Sequence, residues 1–366
     1  MRGLRMWLGG LVILGLLLAA PLAWRAFAQQ ATAATLRIDT ADGIEEARFV
    51  PIRGVEQWLQ IRGRHRNNPI VLMVHGGPGF AMAPFAPVFL NWENDFTLVQ
   101  WDQRDAGRTF SRNGPLPISV AEVTADGLAV AEYLHRRLPG AKIIVLGHSW
   151  GSAIALNMVH RRPDLFAAFV GTGQLASMPD QETLSSEMVL ARLRAAHNAG
   201  AAAQLQQVGP APYRSLAALL VERKWLRSVD TPAERALSSR MLPLLLFAPG
   251  QSLKQVWDFT RAPKYAQSTT YGELATFDAR SIGQCYRVPM FIFDGDQDLY
   301  TPAGPALRFL SQITAPRREF VSLPGGGHDA LLTMPDAFLA QLRARVLPLG
   351  GEGAPVSPYF TCANAQ

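Results

Sequence analysis

The chain has 366 residues, 48% of them hydrophobic, which is enough apolar material for a large buried core. Its formal net charge of +6 falls to +3 beyond residue 28, because Arg2, Arg5 and Arg25 precede that point and no acid offsets them. The remaining basic residues are scattered and form no long run, which argues against nucleic-acid binding.

The N-terminal segment has the pattern of an export signal. Two arginines precede an apolar run from Trp7 to about Ala23, and Ala26-Phe27-Ala28 fits an A-x-A cleavage site. We therefore expect residues 1–28 to be a signal peptide. The alternative is an uncleaved anchor, since about 17 apolar residues is the lower limit for a spanning helix. Either way we expect an exported protein, in a bacterial periplasm, with membrane contact only if the segment is retained.

The next segments predict an α/β protein. Residues 36–63 alternate apolar and polar positions, as antiparallel strands do. Short continuous apolar runs, typical of strands buried on both faces, then alternate with stretches of helical periodicity. These runs lie at 69–77, 96–104, 141–149, 165–173, 288–296 and 317–325. The pattern predicts a mostly parallel sheet with helices on both faces.

The alternation of strand-like and helical segments is interrupted once. Residues 175–282 are helical in pattern and predict a cap inserted into a core made of residues 36–174 and 283–348. Inserted there, the cap can cover the C-terminal edge of the sheet, where open α/β sheets bind ligands. The tail, residues 349–366, is rich in Gly and Pro and is predicted to be irregular.

The two cysteines, Cys285 and Cys362, fit no metal-ligand spacing. In an oxidising compartment they can form a disulfide that attaches the tail to the body, stabilising the fold by roughly 4 kcal/mol. Two unpaired thiols are the alternative, and the sequence does not decide between them.

The segment GHSWG, residues 147–151, places Ser149 between two glycines at a strand-to-helix junction. The glycines relieve crowding at the sharp turn and leave the hydroxyl exposed, and the following helix directs its first N–H groups at developing negative charge. In this context Ser149 is predicted to be a nucleophile.

A serine nucleophile needs a base, and the base needs a carboxylate to orient it. His328 lies in a Gly-rich loop after the last predicted strand and is our candidate base. Asp298, which reaches farthest past the end of the fifth apolar run, is the candidate acid, with Asp296 second and Asp294 still inside the strand. The chain order Ser, Asp, His is that of α/β-hydrolases.

The oxyanion formed by serine attack requires N–H donors that are already in position. The backbone of Trp150, directly after the nucleophile, is one predicted donor. The second is expected from the HGGPG loop at residues 75–79, with Gly77 preferred and Gly76 second.

Five segments together resemble the proline iminopeptidase branch of the α/β-hydrolases. They are HGGPG, WDQRDAGRT, GHSWGS, the D-G-D-Q-D stretch and GGGHD, and the resemblance covers roughly residues 45–175 and 285–345. It implies an α/β-hydrolase fold with a helical cap, and release of N-terminal residues, typically proline, from small peptides by serine acyl transfer without metal or other cofactor. It also assigns the nucleophile, acid and base to Ser149, Asp298 and His328.

The chain departs from the family pattern at Asp105, where a small residue is usual, so the loop beside the pocket is expected to differ. The family's acidic contacts to the substrate amine come from the cap. Glu182 and Glu187 are our candidates, with solvated positions as the alternative. Asp102 and Arg104 are expected to be scaffold residues that pair with each other or shape the HGGPG loop.

The sequence therefore predicts a serine hydrolase that removes proline or another small apolar residue from the N-terminus of short peptides. An exported esterase or amidase acting on small apolar esters or amides is the alternative, favoured if the cap lacks an amine-binding carboxylate. A ligand-binding module without turnover is disfavoured, because all three catalytic roles can be filled in the expected order.

Overall fold

One eight-stranded sheet organises the protein. The computed structural model describes residues 2–350 and 362, with side chains from residue 19 onward. The strands are β1 (Ile44–Ile52), β2 (Val55–Gly63), β3 (Ile70–Val74), β4 (Thr97–Asp102), β5 (Ile143–His148), β6 (Ala168–Thr172), β7 (Met290–Gly295) and β8 (Arg318–Leu323). Their order across the sheet is β1-β2-β4-β3-β5-β6-β7-β8.

Strand direction follows the sequence patterns. The alternating segments form β1 and β2, which pair antiparallel with each other, and β2 pairs antiparallel with β4. The other neighbours pair in parallel. Every residue of the five central strands, β3 to β7, is buried, as continuous apolar runs require. The predicted α/β-hydrolase architecture with a mostly parallel sheet is confirmed.

Helices surround the sheet. They are α1 (Arg2–Leu36), α2 (Gly107–Asn113), α3 (Val120–Arg137), α4 (Trp150–Arg161), α5 (Met178–Ala195), α6 (Ala199–Gln207), α7 (Leu216–Val229), α8 (Pro232–Phe247), α9 (Leu253–Ala275), α10 (Ala303–Gln312), α11 (Ala330–Thr333), α12 (Pro335–Arg345) and α13 (Leu347–Gly350). Short 3₁₀ segments occur at Ala83–Asn94, Pro163–Leu165 and Ala279–Ser281.

The sheet separates two apolar cores. Successive side chains of a strand point to opposite faces. On β5, Ile143 and Val145 therefore join the core beneath α3, α4 and α10, whereas Ile144 and Leu146 join the core that contains α12 and the 3₁₀ segment Ala83–Asn94. Burial on both faces fixes the end of β5, and with it the position of the residue that follows.

Five helices, α5 to α9, lie between β6 and β7. They contain a third apolar cluster of their own, with Leu193, Leu205, Tyr213 and Leu226 at its centre. This layer forms one wall of the cavity described below, so we call it the cap.

The N-terminal helix α1 continues without a break through the predicted cleavage site at residues 26–28. Arg25 donates to the carbonyl of Gln251, and Gln29 Nε2 donates to the carbonyls of Ala248 and Gln251 at 2.9 and 2.8 Å. Over the placed residues, which leave out the side chains before residue 19, no helix is long and apolar enough to cross a membrane. The signal peptide stays a prediction.

Cys285 and Cys362 form a disulfide, with their Cα atoms 5.8 Å apart. The bridge attaches the chain near its end to the segment that precedes β7. Apart from Leu349, Gly350 and Cys362, the predicted irregular tail lies outside the described residues.

Candidate active site

Ser149 lies at a sharp turn between the end of β5 and the start of α4. Its backbone has φ 53° and ψ −123°, a conformation that L-residues rarely adopt and that costs on the order of 1–3 kcal/mol. The two flanking glycines make the turn possible. A Cβ on Gly147 would lie 2.6 Å from the carbonyl oxygen of Gly151, and a Cβ on Gly151 would overlap the carbonyl oxygen of Val74.

A hydrogen-bonded frame holds this turn. The Ser149 N–H donates to the Thr172 carbonyl at 2.9 Å. Ser152 Oγ donates to the Ser149 carbonyl at 2.6 Å and accepts from the Leu175 N–H at 2.9 Å. The frame joins the turn to β6 and to the segment that leads into the cap, so the serine hydroxyl is held at the wall of the cavity.

His328 and Asp298 are hydrogen-bonded at the carboxyl edge of the sheet. His328 Nδ1 lies 2.9 Å from Asp298 Oδ2. The Asp298 carboxylate also accepts from the N–H groups of Tyr300 and Thr301 at 2.8 and 2.9 Å, and from Thr301 Oγ1 at 2.8 Å. Both side chains are buried, and His328 lines the same cavity as Ser149.

The two groups shift each other's pKa. Burial by itself would raise the pKa of Asp298, but the charge and hydrogen bond of His328, together with the Thr301 donors, hold it below its ordinary value. Burial opposes protonation of His328, yet the carboxylates of Asp298, Asp329 and Glu234 raise its pKa to about 9. The site is therefore built to stabilise an imidazolium ion, the species formed when the base takes a proton from a serine hydroxyl.

The other two aspartates of the segment have structural positions. Asp296 is exposed and accepts from the Gly325 N–H at 2.8 Å, which shapes the turn before the histidine loop. Asp294 is buried inside β7, and burial raises its pKa to about 8. Of the three, the structure brings only Asp298 to His328.

The predicted oxyanion donors lie beside the serine. Trp150 is the first residue of α4, so its N–H has no partner within the helix, and both Trp150 and Gly77 line the cavity. Gly76 packs directly behind the nucleophile, since a Cβ there would lie 2.9 Å from Ser149 Cβ. Gly77 has φ 118°, which only glycine adopts readily. The oxyanion role of these residues stays a prediction.

His75 and Gln103 fix the loop that carries these glycines. The Gln103 N–H donates to His75 Nε2 at 3.2 Å, and Gln103 Nε2 donates to the His75 carbonyl at 2.9 Å. Burial lowers the pKa of His75 to about 4, so its ring is neutral. Because Nε2 accepts, Nδ1 carries the proton and donates to the Gly76 carbonyl at 3.0 Å.

Asp102 and Arg104 of the WDQRDAGRT segment both have structural hydrogen-bond partners, but the predicted pairing between them is wrong. Arg104 and Asp102 do not pair with each other. Arg104 binds Asp126 through two hydrogen bonds of 2.7 Å, and Asp102 accepts from the Arg108 N–H at 2.7 Å. Gln103, which the sequence analysis did not select, is the residue that shapes the HGGPG loop.

Asp105 is fully buried, and neither of its carboxylate oxygens has a hydrogen-bond partner. Burial raises its pKa to about 7. The charges of Arg104 and Asp126 also act on this carboxyl group, which does not line the cavity at Ser149.

The cavity at Ser149 has a volume of about 510 Å³ and lies between the sheet edge and the cap. Its walls are mainly apolar side chains, including Phe80, Leu175, Met178, Leu216, Leu219, Leu237, Met241 and Leu274. An apolar cleft with a few converging polar groups is the usual form of a small-molecule site. Across the described residues, no group of three or more His, Cys, Asp or Glu side chains is placed to hold a metal ion.

Three carboxyl groups stand in this cavity beside His328: Asp230 and Glu234 from the cap, and Asp329 from the histidine loop. The guanidinium groups of Arg223, Arg227 and Arg235, all from the cap, line the same cavity. Glu234 Oε1 accepts from the Asp329 N–H at 3.0 Å, and a Cβ on Gly327 would overlap the Glu234 side chain. Burial and neighbouring acids raise the pKa of Asp230 to about 6 and that of Glu234 to about 8.

The structure does not bring the predicted cap acids, Glu182 and Glu187, to the cavity. Glu182 is buried inside the cap and accepts from the Tyr213 N–H at 2.8 Å, and Glu187 is exposed. Sequence reasoning missed Asp230 and Glu234 because Thr231-x-x-Glu234 has the form of a helix N-cap, and Thr231 does cap α8.

Comparison with known proteins agrees with this geometry. The model of the alpha/beta hydrolase fold family matches residues 69–335. The probable aminopeptidase YbaC of Bacillus subtilis is 25% identical over 78% of this chain and 92% of its own length. The proline iminopeptidase of Neisseria gonorrhoeae is 30% identical over 36% of this chain and 42% of that enzyme.

Solved structures share the fold. The proline iminopeptidase of Mycobacterium smegmatis superimposes with a TM-score of 0.55 at 20% identity, covering 82% of this chain and 97% of that one. A bacterial membrane phospholipase A gives a TM-score of 0.60 at 15% identity, covering 95% and 99%.

The family model matches more than half of the chain, so the protein belongs to the α/β-hydrolase fold family. It is an α/β-hydrolase enzyme that is similar to an aminopeptidase and to proline iminopeptidases.

Proposed function

We propose that the protein is an exported serine aminopeptidase that releases a small apolar residue, proline or one of similar size, from the N-terminus of short peptides. The observation that carries the proposal is the cluster of Asp230, Glu234 and Asp329 beside His328. A peptide N-terminus is an ammonium ion, and a partly buried site for it requires opposite charge. Asp230, with a pKa of about 6, supplies that charge at neutral pH, whereas Glu234, with a pKa of about 8, is mostly protonated there.

The proposed reaction uses these residues in two steps, acylation and deacylation of Ser149. Ser149 Oγ attacks the carbonyl carbon of the first peptide bond while His328 takes its proton. The Trp150 and Gly77 N–H groups meet the oxyanion. His328 then returns the proton to the leaving amine as the C–N bond breaks, which leaves the residue as an ester on Ser149. Water, activated by His328, hydrolyses that ester and restores the enzyme.

The cavity walls support a small apolar first residue. The volume of about 510 Å³ is larger than one residue needs, so the peptide also extends along the cap, between side chains such as Leu219 and Met241. The N-terminal sequence and the Cys285–Cys362 disulfide support export, because disulfides persist in oxidising compartments.

A second candidate is an esterase or amidase without a free-amine requirement. The apolar walls of the cavity favour it, as does the fold shared with a membrane phospholipase A. The two candidates differ in whether the acidic cluster contributes to substrate binding.

The test is hydrolysis of three reporters, a proline anilide with a free amine, its N-acetyl derivative and a short-chain ester, by wild type and Ser149→Ala. The proposal expects preference for the free amine and loss of all three activities in the variant. Hydrolysis of the ester alone would favour the second candidate. Activity that survives in Ser149→Ala would contradict both.

A further inference from the structure

Large apolar side chains are exposed in one region of the molecule. Among described residues, the most exposed of them fall mainly on the end of α1 and on the α8–α9 segment: Leu22, Trp24, Phe27, Leu242, Leu253 and Trp257. Trp24 and Phe27 are each 62% exposed and Trp257 is 65% exposed, so these rings have little contact with the protein. Clustered exposure of this kind marks an interaction surface.

Hydrogen bonds join the two halves of this region. Arg25, between Trp24 and Phe27 on α1, donates to the carbonyl of Gln251, two residues before Leu253. Gln29 donates to the same carbonyl and to that of Ala248. The exposed aromatic residues of α1 therefore stand next to the corner where α8 ends and α9 begins.

The exposed charged side chains of the region are basic. Between residues 232 and 264 the two acids, Glu234 and Asp258, are buried, and the exposed cations are Arg235, Arg240, Lys254, Arg261 and Lys264. Lys254 and Arg261 pair with Asp258, and Arg235 lines the active-site cavity, so Arg240 and Lys264 carry the positive charge that no described acid offsets. Along α9, Leu253, Trp257 and Lys264 recur at helical spacing on the exposed side.

We propose that this region, which we call the basal surface, lies on an anionic lipid bilayer. It comprises Trp24, Phe27, Leu253 and Trp257 with the surrounding cations. Aromatic rings with Lys and Arg on the exposed side are typical of interfacial helices, and cations near an anionic surface strengthen the binding.

The apolar N-terminal run favours a bilayer as the partner of this surface. The apolar run from Trp7 to Ala23 leads directly into the basal surface at Trp24. This surface requires the uncleaved form of the chain, because cleavage after Ala28 removes Trp24 and Phe27. With the apolar run in a membrane, the bonds of Arg25 and Gln29 keep the α8–α9 corner at the membrane surface. Because Met241 and Pro263, on the same two helices, line the cavity, the active site then lies close to the bilayer.

The experiment is tryptophan quenching by lipids brominated near the headgroup, with the full chain in vesicles of phosphatidylcholine alone or mixed with phosphatidylglycerol. The proposal expects Trp257→Phe to lose part of the quenching seen in wild type, and Trp225→Phe, a half-buried cap residue, to retain all of it. Anionic lipid should increase the contribution of Trp257, and the pair Arg240→Glu and Lys264→Glu should abolish that increase.

Hydrolysis of a soluble reporter by each variant shows that it is folded. Equal quenching in wild type and Trp257→Phe with both lipid mixtures would overturn the proposal. A second outcome would also overturn it: the wild type is a dimer in detergent, Trp257→Phe is a monomer, and lipid quenching is the same in both. The surface would then bind a second copy of the chain and not a bilayer.

Discussion

The basicity of His328 predicts an unusual pH dependence. The neighbouring carboxylates raise its pKa to about 9, and only the neutral imidazole can accept the serine proton. Because this pKa lies above neutrality, only a minor fraction of the free enzyme carries the neutral imidazole at pH 7. The kcat/KM should therefore rise about tenfold per pH unit through the neutral range and level off near the pKa of His328.

The assay is kcat/KM for a neutral acyl ester across the neutral and alkaline range, since an ester avoids titration of a substrate amine. Asp329→Asn removes one of the carboxylates that raise the His328 pKa, so the rising limb should shift to lower pH and activity at neutral pH should increase. Glu187→Gln, an exposed acid remote from the cavity, is the matched control. The reasoning would be refuted if kcat/KM rose with a midpoint near the ordinary histidine pKa and Asp329→Asn did not move that midpoint.

Three further predictions concern stability. Arg104→Ala removes two hydrogen bonds from the buried Asp126 carboxylate, which keeps those of Gln57 and Arg53, and should lower the free energy of unfolding in urea by about 2 kcal/mol. Gly151→Ala drives a methyl group into the Val74 carbonyl and should cost about 3 kcal/mol or prevent folding. Reduction of the Cys285–Cys362 disulfide, whose cysteines are 77 residues apart in the sequence, should lower the thermal midpoint. The corresponding loss in the free energy of unfolding should be at most about 4 kcal/mol.

Each stability prediction has a control or a contradicting outcome. Gly200, in α6, has open space around its Cα, so Gly200→Ala should leave stability unchanged or raise it by up to about 1 kcal/mol. A fully stable Gly151→Ala would mean that α4 is not packed against β3 as described. The double variant Arg104→Ala and Asp126→Ala should recover part of the loss, and a thermal midpoint unaffected by reductant would contradict the third prediction.

The sheet could be predicted from the sequence because each central strand is buried on both faces. Five apolar runs, such as residues 69–77 and 141–149, carry that signal without any long-range information. The position of Ser149 was predictable for the same reason, since it directly follows a buried strand and its glycine neighbours serve a purely local turn. His328 and Asp298 follow the ends of strands that are neighbours in a parallel sheet, so topology brings them together.

The cap could not be predicted in the same way. Helical periodicity shows that a segment has an apolar face but not which partner that face contacts. Glu182 and Glu234 both lie in segments of helical periodicity, so the sequence does not show that one is enclosed within the cap and the other contacts the histidine loop. The pairing of Arg104 with Asp126, 22 residues away in the sequence, likewise depends on tertiary packing, so no local sequence pattern predicts it.

The central claim is that a free substrate amine binds the acidic cluster beside the triad. The most direct measurement is the ratio of kcat/KM for a free-amine prolyl reporter to that for its N-acetyl derivative, in wild type, Asp230→Asn and the control Glu182→Gln. Losing one charge-assisted hydrogen bond costs about 1.5–3 kcal/mol, so the ratio should fall by about 10- to 100-fold in Asp230→Asn and stay unchanged in Glu182→Gln. A ratio near unity in wild type, or one that Asp230→Asn leaves intact, would contradict the claim.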